Sequence, residues 1–259
     1  MSVAARQYGA LSRRSFLTQI RQPRSFIPSL LFPLMFLALS SAAFDRTTEL
    51  PGFPESDSFL QFLITTSIIQ GVLFGAVAAG SEMAHDIEDG FFDRLIASPV
   101  SRSSILIGRI SGSTAIGFLQ AWLYFGIGHF FGLQVEGGLL GMLGVASVAG
   151  FFAAGVGSIA TAFGIRTGSS EAVQGAFPLL FAMMFLSGAF FPRTLMHGWF
   201  KAVATANPLT HMIEGLRQQV IAGFEPTELW RAFVVASGFF VVGLLLALAA
   251  LRGRLKAVH

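Results

Sequence analysis

Residues 82–102 read EMAHDIEDGFFDRLIASPVSR and form a long polar stretch between two apolar segments of membrane-spanning length. On a helix that advances about 100° per residue, the side chains of this stretch separate into two faces. One narrow stripe holds the carboxylates Glu82, Asp86, Asp89 and Asp93. The opposite side holds the apolar residues Met83, Ile87, Phe91 and Leu95. The pattern therefore predicts an amphipathic helix with an acidic front and an apolar back.

Two positions interrupt this predicted helix. Gly90 lies in its middle and predicts a bend, because glycine weakens a helix interior. Ser98-Pro99 predicts the helix end, because the residue before proline is displaced from the helical region. A solvated loop helix is the simplest interpretation of an acidic run. The position between two spans favours a segment that contacts another protein.

The composition indicates an all-α membrane protein. Of the 259 residues, 53% are hydrophobic and only 12% are charged, and the charges are separated by long apolar runs. Runs of about 20 apolar residues match a hydrocarbon layer roughly 30 Å thick. The net charge of +3 comes from basic residues near the ends of these runs, so we expect no nucleic-acid partner. The sequence has no cysteine, which excludes disulfides and thiolate sites.

The apolar runs predict six transmembrane helices at about 25–44, 58–80, 105–131, 139–163, 175–191 and 229–251. They form one transmembrane domain, 25–251, between a basic N-terminal segment, 1–24, and a basic tail, 252–259. The N-terminal segment contains five arginines and is predicted either as an interfacial helix or as a simple basic flank. Residues 192–228 are too polar for a span and place Trp199 and Phe200 at the membrane interface.

The distribution of basic residues predicts the orientation. With the N-terminus inside, the inner segments 1–24, 82–109, 164–174 and the tail hold twelve Lys and Arg, against five in the outer segments. The positive-inside rule therefore places both termini and the acidic segment in the cytosol.

The sequence lacks the motifs of several other classes of protein. Neither Lys201 nor Lys256 belongs to a GxxxxGK[ST] loop, so the chain is not expected to bind ATP or to be an enzyme. Within the spans His129 is nearly the only ionisable residue, which argues against a proton- or sodium-coupled carrier. His85 has no second histidine four residues later, so a metalloprotease motif is absent and no metal site is expected.

The acidic segment resembles the permease subunits of ABC transporters of the ABC-2 type. Those proteins carry, after the second span, a glutamate, a glycine, a leucine-containing turn, a small residue followed by proline, and Ser-Arg. The matching residues here are Glu88, Gly90, Leu95, Ser98, Pro99, Ser101 and Arg102. The family often has Gly-Thr where this chain has Gly90-Phe91. In the family this segment is a coupling helix that seats on the ATPase subunit.

A second block resembles permeases of the drug-resistance and nodulation-factor types. It consists of Asn207-Pro208-Leu209-Thr210 and a helix through Arg217, before the last span. The resemblance implies short re-entrant helices at the outer face between spans 5 and 6. The residues of this outer motif are Pro192, Asn207, Pro208 and Arg217.

Two segments are candidates for contact with an ATPase. The coupling candidates are Glu82, Asp86, Ile87, Glu88, Gly90, Phe91, Asp93, Arg94, Leu95, Ser98, Pro99 and Arg102, with Arg166 and Glu171 as a second, weaker contact. We expect the apolar back to enter a groove of the ATPase, since each large buried apolar side chain contributes about 1.5–3 kcal/mol. The carboxylates are expected to orient the contact.

The resemblance also implies a complex and a function. It implies two permease subunits, the same or related, and two P-loop ATPase subunits that bind ATP and Mg, with no cofactor on this chain. The complex would export an amphipathic drug, lipid, glycolipid or polysaccharide across a bacterial cell membrane. A non-transporting assembly or sensor subunit of an ABC complex is the alternative.

Overall fold

The computed structural model describes residues 3–21, 23–97 and 102–257, and within these ranges the chain is helical without strands. The α-helices are α1 Val3–Arg21, α2 Pro23–Phe44, α3 Phe59–Glu88, α4 Phe91–Ala97, α5 Arg102–Phe130, α6 Gly138–Thr167, α7 Ser170–Gly175, α8 Phe177–Phe185, α9 Gly198–Ala206, α10 Pro208–Ile221 and α11 Pro226–Ala257. Two short 3-10 helices cover Asp45–Glu49 and Arg193–Leu195.

Among the described residues, four helical stretches are long and apolar enough to cross a membrane. They are Ile27–Glu49, Phe59–Glu88, Gly138–Thr167 and Pro226–Arg254. A helix needs about 20 apolar residues to span the hydrocarbon layer, and each of these stretches exceeds that length. The predicted first, second, fourth and sixth spans are therefore confirmed as apolar helices of spanning length.

The predicted third and fifth spans are not confirmed in the same way. Helix α5 has 29 residues but is not among the four apolar stretches. In the region of the fifth, the shorter apolar stretch Ser170–Phe185 consists of α7 and the nine-residue α8. Pro178 lies at the start of α8, and because proline has no N–H, the helix begins anew there instead of continuing from α7.

Helix α3 is the most enclosed of the four apolar stretches. In its most apolar window, 83% of the residues are buried within the chain, whereas the α11 stretch is 28% buried. Gly80 lets α3 approach α6 closely, because a Cβ there would lie 2.7 Å from the backbone oxygen of Ala160. Small residues permit such close packing between membrane helices. Movement of α3 therefore has to displace its neighbours.

The N-terminal segment forms a helix that packs along α5. The hydroxyls of Ser12 and Ser111 are 2.7 Å apart. A Cβ on Gly108 would lie 2.7 Å from the Cβ of Leu11, so the two helices are in close contact. Residues Val3–Arg21 are helical, and the choice between an interfacial helix and a basic flank for residues 1–24 stays a prediction.

A buried tyrosine compensates for a proline inside α2. Pro33 lacks an N–H, so the carbonyl of Ser29 loses its helical donor. The Tyr124 hydroxyl lies 3.3 Å from that oxygen and 3.2 Å from the carbonyl oxygen of Leu30. A buried carbonyl without a donor is costly, particularly within a membrane. Tyr124 of α5 thus fixes the position of α2.

We expect Gly243→Ala to lower the stability of the protein by about 1–3 kcal/mol through overpacking. A Cβ at this position of α11 would overlap the backbone oxygen of Gly155 in α6. Gly238→Ala on the same helix is the matched control, because nothing lies within 4 Å of its added Cβ. Thermal unfolding in detergent measures both variants. Equal melting temperatures for the two would contradict the packing assigned to α6 and α11.

Candidate coupling site

The acidic segment is a helix end followed by a separate short helix. Helix α3 continues past the predicted span to Glu88, and α4 begins at Phe91. Gly90 has a φ of +67°, a left-handed conformation that glycine adopts without strain. The predicted bend at Gly90 is therefore a complete break. Helix α4 ends at Ala97, and Ser98 and Pro99 lie outside the described residues.

The acidic stripe does not face outward as one surface. The carboxylate of Asp86 pairs with Arg109 of α5 and lies 3.2 Å from Arg14 of α1. Arg109 also lies 3.9 Å from the buried Glu82. Burial of charged groups requires such partners, because an unpaired charge in the interior is strongly unfavourable. Glu82 and Asp86 thus join α1, α3 and α5, which corrects the prediction of a continuous acidic front.

The apolar back of the segment is also occupied by this chain's own helices. Ile87 and Phe92 are buried in a cluster with Met83, Ile165 of α6 and Leu251 of α11. The prediction that Ile87 enters an ATPase groove is therefore corrected for this conformation. Phe91 is only partly buried, and the guanidinium of Arg14 lies 4.2 Å from its ring centroid.

The remaining polar residues of the segment are accessible. Glu88, Asp89, Asp93 and Arg94 are exposed, and Leu95 is partly buried. We call the four exposed residues the coupling face. Arg102 begins α5 on the far side of residues 98–101. The coupling face holds three carboxylates and one guanidinium at the end of the most enclosed apolar helix, so it presents a charged surface to a partner.

The gap between α6 and α8 adjoins the coupling face. Glu88 accepts a hydrogen bond of 2.9 Å from the backbone N–H of Ser170, at the start of α7. Its other oxygen lies 2.7 Å from Nδ1 of His85. Arg166 and Glu171 are exposed on either side of this contact. The structure thus brings the two segments predicted as first and second contacts to one end of the molecule.

The outer motif begins with a helix cap. The side-chain oxygen of Asn207 accepts a hydrogen bond from the backbone N–H of Leu209, and Pro208 occupies the first turn of α10. The amide nitrogen of Asn207 donates to the carbonyl oxygens of Met183, at 2.7 Å, and Leu186, at 3.2 Å. The predicted helix through Arg217 is α10, and Asn207 ties its start to the end of α8.

Arg217 of α10 is fully enclosed, with 3% of its surface exposed. Its guanidinium donates to the carbonyl oxygens of Phe62, Gly188 and Ala189 and to the hydroxyl of Thr66. Burial lowers the pKa of Arg217 to about 9, while the charge of Glu214 acts in the opposite direction. The group therefore remains protonated at pH 7.

A cavity of about 970 Å³ lies beside the outer motif. Pro192 and Arg217 contribute to its walls, and Arg193 forms a bidentate ion pair with Glu214 there, at 2.7 and 2.6 Å. The walls also include Glu55, Lys201, Glu225 and Glu228, so the cavity is polar and carries both signs of charge.

Comparison with known proteins gives one family. A model of the ABC-2 type transporter family matches residues 6–221, which include both segments described above. The chain belongs to the ABC-2 type transporter family. It is therefore a multi-pass transport permease of the membrane, and membership implies partnership with an ABC ATPase.

Individual ABC-2 permeases resemble the chain over most of its length. A daunorubicin resistance ABC transporter permease protein of Streptomyces coeruleorubidus is 28% identical over 222 residues, which cover 85% of this chain and 71% of the relative. The candidate transport permease ycf38 of Cyanophora paradoxa is 28% identical over 80% of this chain and 71% of its own length. The inner membrane transport permease YadH of Escherichia coli K12 is 24% identical over 83% of this chain and 81% of its own length.

Sequence reasoning missed two residues of this ABC-2 permease, Arg14 and Arg109. Both were counted only as basic residues on the inner side, although they neutralise Glu82 and Asp86. A signal was present, because carboxylates close to an apolar span require cationic partners. The sequence does not say which arginine supplies the partner, because Arg14 and Asp86 are 72 positions apart.

Proposed function

We propose that the chain is the membrane-spanning permease subunit of an ATP-driven ABC-2 exporter. A separate P-loop ATPase would bind ATP and Mg and seat on the coupling face. The observation that carries the proposal is the position of this face: exposed charges stand at the end of α3, the most enclosed apolar helix, and adjoin α7. Family membership supports the ATPase as the partner.

The geometry supports a transmission of force first from the ATPase to α4 and α7, and then from α4 to the helices packed against it. The ATPase would engage α4 and the start of α7, where Asp93, Arg94 and Glu171 are accessible. Phe92 anchors α4 in the cluster shared with α6 and α11, so α4 cannot move without them. Exposed charges contribute more to orientation and association rate than to affinity. The partly accessible Phe91 and Leu95 are the apolar residues left to contribute affinity.

We propose six spans with both termini and the coupling face in the cytosol. In this arrangement α5 is the third span, and α7 with α8 supplies the fifth. Two permeases, identical or related, would pair with two ATPases. The bacterial cell membrane is the proposed location.

The proposed cargo is an amphipathic drug, lipid, glycolipid or polysaccharide. A drug is supported by the name of one relative, a daunorubicin resistance permease. Daunorubicin is therefore the first probe. Inside-out vesicles containing the chain and its co-expressed ATPase should accumulate it with ATP and fail to do so with a non-hydrolysable analogue. ATP hydrolysis that no amphipathic cargo stimulates, without accumulation, would favour an assembly or sensor subunit.

Single cysteines test the proposed topology, since the natural chain has none. Glu49→Cys and Gln134→Cys should react with an impermeant maleimide added to intact cells. Asp89→Cys and Lys256→Cys should react only after the membrane is opened. All four positions are exposed, so differences in labelling report the side of the membrane. Labelling of positions 49 and 256 from the same side would contradict the six-span arrangement.

A further inference from the structure

Arg217 connects three segments that are remote in sequence. Its donors reach Phe62 and Thr66 near the start of α3, at 3.0 and 3.3 Å. They also reach the carbonyl oxygens of Gly188 and Ala189, in the turn that follows α8. Its guanidinium lies 3.7 Å from the centroid of the Phe62 ring. One side chain of α10 therefore holds α3 and this turn together.

The turn and α10 form one outer unit at a second point. Asn207, at the start of α10, donates to the carbonyl oxygens of Met183 and Leu186 at the end of α8. The hydroxyl of Thr210 accepts a hydrogen bond of 2.9 Å from the backbone N–H of Gly188. We call α10 with residues 183–189 the outer unit. Its hydrogen bonds to α3 run through Arg217, through Thr66, whose hydroxyl donates to Ala189 at 2.7 Å, and through Gln61, whose side-chain amide donates at 3.5 Å to the carbonyl oxygen of Val220.

Helix α3 extends from this link to the coupling face. It is one uninterrupted α-helix of 30 residues without an internal proline, and its last residue, Glu88, belongs to the coupling face. Glu88 lies 26 positions after Phe62, which corresponds to about 39 Å at a rise of 1.5 Å per residue. A continuous helix without a kink transmits an axial displacement along its length. An axial displacement of α3 at Glu88 is therefore transmitted to Phe62.

The chemistry of arginine suits such a link better than an apolar contact does. Apolar surfaces in a membrane can slide past one another, because lipid and side chains are similarly apolar. A buried guanidinium that leaves its acceptors would expose a charge and several carbonyl groups without partners. Glu214 does not compete for it, because Arg193 already binds that carboxylate. The planar group thus fixes α3 and the outer unit in one register.

We propose that Arg217 is a positioning residue that makes the outer unit follow α3, so that movement at the coupling face changes the outer side of the permease. The proposal rests on the proposed function, because it requires an ATPase that moves the coupling face. The cavity of about 970 Å³ beside Arg217 would then change shape with the outer unit.

The test measures two distances in the complex with its ATPase. Spin labels at His85→Cys and Lys256→Cys report the inner end of α3, and labels at Glu49→Cys and Gln218→Cys, an exposed position on α10, report the outer unit. Both distances should change when a non-hydrolysable ATP analogue is added. In Arg217→Gln the inner change should persist, the outer change should fall at least twofold, and transport per ATP hydrolysed should fall with it.

Two further variants keep the test decisive. Thr66→Val retains the side-chain shape and removes only the hydroxyl that links Arg217 and Ala189 to α3, so it should also reduce the change in the outer distance. This variant provides the test if Arg217→Gln does not fold. Ser158→Ala removes a buried hydroxyl whose hydrogen bond to Ala154 lies within α6, and it should leave both changes intact. If the outer distance changes as much in folded Arg217→Gln and Thr66→Val as in the unsubstituted protein, the role of Arg217 is overturned and the proposed function is not. Distances in the unsubstituted background that never respond to nucleotide would overturn the proposed function, and this role with it.

Discussion

Arg109→Gln is expected to destabilise the protein by about 3–5 kcal/mol, because it breaks a buried ion pair from one side. The substitution leaves the carboxylates of Glu82 and Asp86 with Arg14 as their remaining cation, and Arg14 lies 3.2 Å from Asp86. The side chain of Glu82 is only 6% exposed, so water cannot replace the lost partner. A lower melting temperature in detergent, with reduced yield from the membrane, is the expected observation.

Arg231→Gln is the matched control for this prediction. Arg231 pairs with Glu228 one turn earlier on α11, but its side chain is 65% exposed. Exposed pairs of this kind contribute about 0–1 kcal/mol, so the control should melt close to the unsubstituted protein. Adding Glu82→Gln to Arg109→Gln should recover part of the loss, because one unpaired buried charge is removed. Equal melting temperatures for Arg109→Gln and Arg231→Gln would refute the buried cluster.

Asp89→Lys combined with Asp93→Lys is expected to weaken binding of the ATPase by about 10–100-fold, and the effect should be largest at low salt. The two substitutions invert the charge of the coupling face, whose remaining residues are Glu88 and Arg94. Charge complementarity controls association rate and register, and salt screens it over about 10 Å at 0.1 M. Titration of the ATPase against the purified permease at two salt concentrations gives the measurement.

Glu136→Lys is the control for the coupling face. It inverts an exposed carboxylate in the turn between α5 and α6, remote from the coupling face. Binding of the ATPase should be unchanged in Glu136→Lys. Both Glu136→Lys and the double variant should have the melting temperature of the unsubstituted permease. If the double variant binds as tightly as Glu136→Lys at low salt, the coupling face does not contact the ATPase.

Much of the fold could be predicted from local pattern. Four of six predicted spans are apolar helices of spanning length, because a run of apolar residues is sufficient to specify one. The bend predicted at Gly90 is a break between α3 and α4, and the helix predicted after Asn207-Pro208 is α10. The predicted fifth span, 175–191, is less regular, because α8 ends at Phe185 and a turn follows it.

The direction of each helix face could not be predicted. A helical wheel groups Glu82 with Asp86 correctly, but it does not say whether the group faces solvent or another helix. That depends on Arg14 and Arg109, which come from different helices. Arg217 shows the same limit. It was counted among the outer basic residues, whereas it is buried and donates to carbonyl oxygens of α3 and of the turn after α8.

The most direct test of the proposed ATPase partnership is to purify the tagged chain from its native membrane in a mild detergent and determine the mass and composition of the complex. We expect one P-loop ATPase per permease, in a complex of two of each. We also expect that Asp89→Lys with Asp93→Lys loses the ATPase while Glu136→Lys retains it. Recovery of the chain without any ATPase, under conditions that preserve its folded state, would contradict its role as the permease subunit of an ATP-driven transporter.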